Sequence, residues 1–527
     1  MDWAPASVAR WLFSPQQGLS DRLVARGVFL RALGLIYFSA FFSLVFQIRG
    51  LIGPEGILPA SEFLRYVANH FGPYQRIWFA PSLLWFSAGN GMLLAVCWAG
   101  MVAALLLVLN VWPRGTLVIC FICFLSFVSA AGDFSSYQSD GMLLEAGFIS
   151  LFFAPRGFLP GWGEKFPPSR ASHFLLLWEW FRIYFESGAV KLLSHDPQWR
   201  NYTAMDEYYQ NGPLPTWIGW YMQHLPHGFH AFTVIATFAL ELVLVWMMFL
   251  PRRWRIACFL IATPWQVVVI LTANYTFLNY LVLALGFLLL DDKFLSRFIP
   301  QKWRTTETKI SIETENAPPR LKMREVILLP FTAGLLTLVF YVTTAELVWM
   351  FWRSCPLPTA PVAALDPFRI ANQYGLFAVM TRGRYEIEFQ GSRDGQSWTA
   401  YPFRYKPQEI TVPPGIYAPY QPRFDWNLWF ASLGSWRQYP IVTSTEERLL
   451  VNAPDVLALF ASNPFPKDPP AQIRVVLWQY WFTSMDEKRA KGLWWRREML
   501  GLYGPTLSRS AEGKLQVLDW PNVPPRD

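Results

Sequence analysis

Four ionisable side chains lie in or beside strongly apolar stretches of the sequence. They are Asp140, Glu145, Lys191 and Asp196. An ionisable group near hydrocarbon is costly unless it faces water, a partner or a cavity, which makes each of them a candidate for function. A lysine at a water-excluded edge can lose its proton and act as a base, with a carboxylate as the acid or the orienting group. This hypothesis predicts a membrane enzyme that acts on a lipid-soluble or exported substrate.

The sequence gives little further support for catalysis. No nucleophile–base pair is recognisable along the chain, and it contains no H-x-x-x-H or H-E-x-x-H motif and no glycine-rich phosphate loop. We therefore expect neither a metal nor a cofactor. The C-x-x-C spacing of Cys120 and Cys123 lies inside an apolar run, where cysteine behaves as a small hydrophobic residue.

Three further charges share one predicted helix. Glu179, Arg182 and Glu186 are spaced i, i+3 and i+7, so they lie on one helical face and can pair with one another. We expect them to be structural charges that hold neighbouring membrane helices together.

A second set of polar and aromatic residues is suited to binding a protein, since Trp and Arg are enriched at binding hot spots. The candidates for a client surface or a domain interface are Tyr137, Gln138, Trp199, Arg423, Asp425, Trp426 and Trp429. The last four lie in residues 421–430, which resemble neither a regular strand nor an amphipathic helix. We expect Arg423 to pair with Asp425 and both tryptophans to face the membrane. The segment would be an anchored hinge or a recognition surface for an exported client.

A membrane protein must position these residues. Of the 527 residues, 53% are hydrophobic and only 16% are charged, with a mean hydropathy of +0.22, whereas an average soluble domain has about 25% charged residues. Apolar runs lie at 27–48, 89–111, 115–131, 138–154, 173–193, 229–250, 256–272, 275–290 and 325–350. We therefore predict a polytopic α-helical membrane protein with about nine spans, although 138–154, which contains Glu145, could be re-entrant.

The basic residues indicate how these spans are oriented. With the N-terminus in the cytoplasm, the segments on that side hold eighteen Lys and Arg, against four on the other side. This asymmetry predicts a cytoplasmic N-terminal segment, 1–26, which is also suited to the membrane surface. A transmembrane domain, 27–352, and a non-cytoplasmic domain, 353–527, would follow. Because these loops account for the net charge of +8, we expect the lipid bilayer and not a nucleic acid as a partner.

The sequence changes character after residue 356. Residues 384–390 alternate in the manner of a half-buried strand, and an Asp-Gly turn separates them from a second apolar stretch at 398–405. This pattern predicts a β-hairpin. The other predicted elements are helices at 445–451 and 455–460 and a strand at 473–482. We predict a small β-rich, sandwich-like extramembrane domain with short helices.

Five segments follow one another along nearly the whole chain: 139–147 (SDGMLLEAG), 187–199 (SGAVKLLSHDPQW), 212–215 (GPLP), 418–426 (APYQPRFDW) and 463–466 (NPFP). Together they resemble the signature segments of the lipase maturation factor family. The resemblance implies a multi-pass protein, in animals resident in the endoplasmic reticulum membrane, that helps secreted lipases reach their active, assembled form. The family is similar, more distantly, to the membrane domain of vitamin K-dependent carboxylase.

Two functions remain open at this point. The leading hypothesis is a maturation or assembly factor without enzymatic activity, whose C-terminal domain holds a partly folded exported client. The alternative is a membrane enzyme, carboxylase-like or otherwise modifying its substrate, with the Lys191 site at the non-cytoplasmic edge of a bacterial or endoplasmic reticulum membrane. If Asp140, Glu145, Lys191 and Asp196 converge on one cavity, catalysis is favoured. If they disperse into pairs, a scaffolding role is favoured.

Overall fold

The computed structural model describes residues 5–298 and 323–524. Within these ranges the first part of the chain is helical and the last part contains a β-sheet. The helices of the first part are α1 (Pro5–Phe13), α2 (Leu23–Ile52), α3 (Ala60–His70), α4 (Pro73–Phe79), α5 (Asn90–Val108), α6 (Pro113–Val128), α7 (Gln138–Phe153), α8 (Arg170–Leu193), α9 (Pro197–Arg200), α10 (Tyr208–Asn211), α11 (Trp217–Gln223), α12 (His227–Phe238), α13 (Arg252–Thr272), α14 (Leu278–Gly286), α15 (Asp292–Leu295) and α16 (Met323–Phe351).

Each apolar run predicted from the sequence contains a helix. Five of these helices are long and apolar enough to cross a membrane, within Ser20–Val45, Asn90–Val108, His227–Phe249, Arg252–Thr272 and Leu328–Phe351. Helix α6 and the stretch Leu278–Leu289 are also apolar, but they are shorter than these five. The protein is therefore a polytopic membrane protein, and the number of nine crossings stays a prediction.

Helices α7 and α8 are the two that do not have the composition of a simple span. A helix of sixteen residues such as α7 is about 24 Å long, less than the roughly 30 Å of a hydrocarbon core. Twelve of its sixteen residues are buried. Helix α8 is long enough but carries Glu179, Arg182, Glu186 and Lys191, all of them buried. Surrounding protein shields both helices, so they tolerate polar groups that a lipid-facing helix would not.

The charge-free stretch 256–290 forms two helices, as the sequence predicts. Helix α13 continues through Pro264 and ends at Thr272, and α14 begins at Leu278. The polar residues between the two helices, among them Asn274, are buried. The break is therefore a loop enclosed by protein, which is the condition under which irregular backbone is tolerated at a membrane.

The C-terminal part contains one antiparallel sheet. Its strands are β1 (Arg384–Ser392), β2 (Trp398–Ala400), β3 (Gln472–Phe482), β4 (Trp495–Leu502), β5 (Thr506–Arg509) and β6 (Leu515–Asp519). The strand order is β2-β1-β3-β5-β6, and β4 also pairs with β3. The register of the long central pair runs from Arg384 opposite Tyr480 to Ser392 opposite Gln472. The predicted hairpin is confirmed as β1 and β2, and the predicted strand at 473–482 is confirmed as β3.

The prediction of a sandwich-like domain is wrong. The residues that the structure describes contain a single sheet, and helices pack on it instead of a second sheet. The helices of this part are α17 (Ala360–Leu365), α18 (Arg423–Leu433), α19 (Pro440–Leu449), α20 (Pro454–Leu457) and α21 (Met485–Lys491). Helix α18 packs on β1, where the Ser432 hydroxyl donates to the Tyr385 carbonyl at 2.9 Å, and α19 packs on β3. Sheet and helices thus form a two-layer α+β domain.

Residues 423–430, in the segment whose sequence resembles neither a regular strand nor an amphipathic helix, form most of α18. Nine of its eleven residues are buried. A helix that is surrounded by protein needs no polar face, so it lacks the amphipathic pattern by which surface helices are recognised.

Close packing joins the first membrane helices to each other and to the C-terminal domain. A Cβ atom at Gly100 of α5 would lie 2.3 Å from the ring of Phe41 on α2, and one at Gly50 would lie 2.3 Å from the carbonyl oxygen of Asp455. Small residues at such positions let backbones approach closely. One continuous hydrophobic core therefore runs from Phe29 of α2 to Ile473 of β3.

The glycine contact predicts a sharp difference between two substitutions in α5. Gly100→Val should lower the free energy of unfolding by about 1–3 kcal/mol, because the new side chain overlaps Phe41 and the helices must move apart. Gly91→Val is the matched control, since a Cβ there meets nothing within 4 Å. The measurement is the thermal midpoint of each purified variant in detergent. Equal midpoints for the two variants would contradict this packing.

Candidate functional site

The linker segment, residues 369–381, lies between α17 and β1 in the chain and packs against α7 and α8 without regular secondary structure. Irregular backbone carries polar groups that need hydrogen-bond partners when water is excluded. Side chains of the helical part supply a partner for a backbone group at eight of its thirteen positions.

The first half of the linker segment is bound by a buried ion pair. Glu145 of α7 pairs with Arg182 of α8, and their side chains are 1% and 0% exposed. Glu145 Oε2 accepts hydrogen bonds from the backbone N–H of Asn372 at 2.9 Å and from the Tyr374 hydroxyl at 2.8 Å. Arg182 Nη1 donates to the Asn372 carbonyl at 2.5 Å. The pair therefore binds both the backbone N–H and the carbonyl group of Asn372.

The expected pairing of Arg182 with the two glutamates of its own helix is not observed. Glu186 instead accepts the backbone N–H of Tyr374 at 2.6 Å, and Glu179 is fully buried one turn before Arg182. Gln138 Oε1, at the start of α7, accepts the N–H of Gly375 at 3.1 Å. Of the three predicted structural charges, Arg182 and Glu186 bind the linker segment, and Arg182 also joins α8 to α7.

The second half of the linker segment is bound by the polar cluster that follows α8. The Ser194 hydroxyl donates to the Ala378 carbonyl at 2.7 Å, and the indole N–H of Trp199 donates to the Phe377 carbonyl at 2.9 Å. Asp196 Oδ2 accepts the backbone N–H of Met380 at 2.6 Å. Its other oxygen accepts the N–H of Gln198 at 3.0 Å and so begins α9. Both of its oxygens are therefore occupied by backbone donors.

A second buried ion pair anchors α18. Arg423 Nη1 and Nη2 each donate to one oxygen of Asp140 at 2.8 Å, and both side chains are 0% exposed. Arg423 also donates to the Phe134 carbonyl at 2.6 Å and lies 4.7 Å from the centre of the Phe127 ring. Gln47 of α2 accepts the backbone N–H of Arg423 at 2.8 Å. Two parallel charge-assisted bonds give this contact a fixed geometry.

The expected pair between Arg423 and Asp425 does not form. Asp425 Oδ1 accepts the backbone N–H groups of Lys406 at 3.1 Å and of Tyr405 at 3.2 Å, while Arg423 turns toward Asp140. Burial raises the pKa of the Asp425 carboxyl to about 6 in spite of these bonds. Asp425 therefore fixes the chain that follows β2, and it does so inside the C-terminal domain.

We call the contact of the helical part with the linker segment and α18 the joint. The predicted aromatic candidates are buried there. Trp426 and Trp429 are each 8% exposed. The ring centre of Trp426 lies 5.8 Å from that of Tyr137 and 6.4 Å from that of Tyr275, so it packs on loops of the helical part. In this conformation these side chains anchor the domain and are not accessible to a client.

The four candidate catalytic residues do not meet. Lys191 Nζ pairs with Glu241 Oε2 at 2.8 Å and lines a cleft between helices, where neither Asp140, Glu145 nor Asp196 is among the lining residues. Each of those three carboxylates is bound to Arg423, to Arg182 or to backbone N–H groups. This is the dispersal into pairs that favours scaffolding.

Sequence reasoning missed two residues that complete the joint. Asn274, in the loop between α13 and α14, donates to the carbonyls of Leu214 at 3.1 Å and Gly415 at 2.9 Å, and accepts the N–H of Tyr417 at 2.7 Å. Arg384 at the start of β1 donates to the Gly212 carbonyl at 2.5 Å and is fully buried. The sequence feature that could have pointed to these two residues is the segment 212–215 (GPLP), whose Gly212 and Leu214 carbonyls accept hydrogen bonds from them.

The Asp140–Arg423 pair gives a test of the joint. Arg423→Met should lower the free energy of unfolding by about 3–5 kcal/mol, because Asp140 is left as a buried charge without a partner. Combining it with Asp140→Leu removes both charges and should recover much of the loss. Thermal midpoints of the purified variants measure both effects. Arg437→Met is the control, since Arg437 is exposed on the same domain.

Two results would contradict this role of the pair. One is a double variant as unstable as Arg423→Met alone. The other is an equal loss of stability in Arg437→Met.

Comparisons with known proteins agree with this architecture. The sequence pattern of the lipase maturation factor transmembrane domain matches residues 24–297, and that of the lipase maturation factor C-terminal domain matches residues 370–505. The second match begins inside the linker segment. No solved structure matches the chain.

Individual relatives match over nearly the whole chain. Lipase maturation factor 2 of Homo sapiens is 31% identical over 92% of this chain and 82% of the relative. The Gallus gallus protein of the same name is 30% identical over 92% of this chain and 81% of the relative. Lipase maturation factor 1 of Bos taurus is 29% identical over 95% of this chain and 92% of the relative. The chain belongs to the lipase maturation factor family.

Proposed function

We propose that this protein is a membrane-embedded maturation factor for exported proteins, with lipases as clients, and that it acts without catalysing a reaction of its own. The observation that carries the proposal is the use of the polar membrane-edge side chains, which bind the linker segment and α18. Residues that hold a domain in place are unavailable for proton transfer to a substrate. The names of the relatives, lipase maturation factors 1 and 2, support lipases as the class of client.

We propose that the chain crosses the membrane nine times and that its C-terminal domain faces the non-cytoplasmic side. The excess of Lys and Arg in the segments assigned to the cytoplasm supports this orientation. In a eukaryotic cell that side is the lumen of the endoplasmic reticulum, and in a bacterium it is the periplasm. Either compartment contains newly exported proteins.

The surface that would hold a client is the free edge of the sheet. All five residues of β6 are exposed, with Val517 at 43% and Leu518 at 45%, and Trp520 directly after the strand is 62% exposed. Strand β6 pairs with β5 along one side, and no strand of the described residues pairs with its other side. An unpaired edge with apolar side chains is a template for an extended segment of another chain.

The membrane-enzyme hypothesis is the less supported one. It requires Lys191 to act with a nearby acid, and the acid that Lys191 contacts is Glu241, in a cleft apart from the other candidates. Lys191 Nζ already donates to both oxygens of Glu241 and to the Ser187 carbonyl.

The client surface can be tested without disturbing the joint. The double variant Val517→Asp/Leu518→Asp should reduce the secreted activity of a co-expressed lipase by roughly tenfold, the ratio for a loss of about 1.4 kcal/mol in binding. The abundance of the variant protein should not change, since substitutions at exposed positions alter stability little. The readout is secreted activity per amount of lipase in cells that lack an endogenous maturation factor.

The matched control is Val412→Asp, at a position that is 55% exposed on another surface of the same domain. Full lipase activity with the β6 variant would refute the proposed client surface, as would an equal loss with Val412→Asp.

A further inference from the structure

A cleft in the helical region adjoins the linker segment but is lined mostly by residues outside it. It lies between α8, α12, α13 and α14 and has a cavity volume of about 130 Å³. Binding sites for small molecules are mainly apolar, with a few polar groups that fix orientation. The cleft has this character, and its volume is similar to the roughly 150 Å³ of an apolar cavity that binds benzene.

The wall of the cleft is mostly apolar and aromatic. Its lining includes Trp199, Tyr208, Met222, Phe229, Trp265 and Val282. Val268, which also lines the cleft, is 47% exposed on α13, one of the helices long and apolar enough to cross a membrane. The cleft therefore opens toward the bilayer, so an occupant would enter from the lipid phase.

The polar group of the cleft is the Lys191–Glu241 pair. Lys191 Nζ lies 2.8 Å and 3.1 Å from the two oxygens of Glu241 and donates to the Ser187 carbonyl at 3.2 Å. Glu241 lies in a single π-helical turn, Ala239–Val243, that continues α12. Such turns interrupt regular helix at a cost and are frequent at functional sites.

The charge of this pair limits the ligands that fit. Lys191 and Glu241 together are neutral, so a ligand with an anionic or a cationic head would have to displace one member of a partly buried pair. A hydroxyl or an ester carbonyl can instead hydrogen-bond to the pair and leave it intact. The volume admits a narrow group, such as one segment of a single acyl chain, and a two-chain phospholipid is too large.

We infer that this cleft binds a neutral single-chain amphiphile from the bilayer, with the part of its acyl chain nearest the head among the aromatic side chains and its hydroxyl or ester group at Lys191 and Glu241. The cleft is also lined by Leu376 and Phe377 of the linker segment. A bound amphiphile would therefore pack directly against the segment that positions the C-terminal domain. This inference goes beyond the proposed function and does not depend on any client.

The test uses the purified full-length chain and a photoreactive monoacylglycerol. The wild type should be labelled on peptides that contain 229–241 or 265–269, and an excess of unlabelled monoacylglycerol should abolish the labelling. Thr233→Phe fills the cleft, because Thr233 lines it and is buried. This variant should lose roughly tenfold in labelling, as expected when a ligand loses about 1.4 kcal/mol of binding free energy.

The matched control is Ile235→Phe on the same helix. Ile235 is 53% exposed and is not among the lining residues, so this variant should be labelled like the wild type. Equal labelling of Thr233→Phe and Ile235→Phe would overturn the inference. If Thr233→Phe fails to fold, competition by unlabelled monoacylglycerol on the wild type decides the question.

A second variant tests the head-group chemistry. Glu241→Gln removes the carboxylate that Lys191 contacts and leaves its place open to the carboxylate of a ligand, so the cleft should now be labelled more strongly by a photoreactive fatty acid than by the monoacylglycerol. The wild type should show the opposite preference. Wild-type labelling that is equal for monoacylglycerol, fatty acid and phosphatidylcholine probes would mean unselective lipid contact and would overturn the inference. None of these readouts involves lipase maturation, so the two proposals can fail separately.

Discussion

The structure depends on satisfying the backbone of an irregular segment at the edge of a membrane. The linker segment leads from α17 to β1 and is partly shielded from water, and an N–H or C=O group that faces protein there costs free energy if it has no partner. Glu145, Glu186 and Asp196 accept its N–H groups, and Arg182 and Trp199 donate to its carbonyls. The charged side chains that make these contacts would be costly in lipid and are stabilised here by the backbone groups that they bind.

This constraint explains why polar residues cluster where the sequence suggested chemistry. The signature segments at 139–147 and 187–199 supply the side chains, and the segments at 212–215 and 418–426 supply backbone groups or Arg423 for the same joint. A buried charge is destabilising without its partner, so Asp140 and Arg423 each require the other. The joint therefore ties the fold of the C-terminal domain to that of the membrane helices. A maturation factor needs such an arrangement if a client is to be held at a fixed place beside the membrane.

The sequence allowed some elements to be predicted and not others. Helix positions followed from the apolar runs, and the β1–β2 hairpin followed from alternation around an Asp-Gly turn. The partners of the polar residues could not be predicted, because Asp140 and Arg423 are 283 residues apart and no local pattern connects them. The nearest charge along the chain, Asp425, was the wrong partner for Arg423. Helix α18 was missed because it is buried on all sides, and β6 was missed because all its residues are exposed and no alternation marks a buried face.

The most direct measurement of the central claim is amide hydrogen exchange of the linker segment in the intact protein. The backbone N–H groups of Asn372, Tyr374, Gly375 and Met380 should exchange roughly a hundredfold more slowly than unprotected amides, a protection worth about 2.8 kcal/mol. In Glu145→Gln the protection should fall at Asn372 and persist in β3, because only the first loses its charged acceptor. Exchange of the wild-type linker segment at the rate of a free loop, with β3 still protected, would contradict the account.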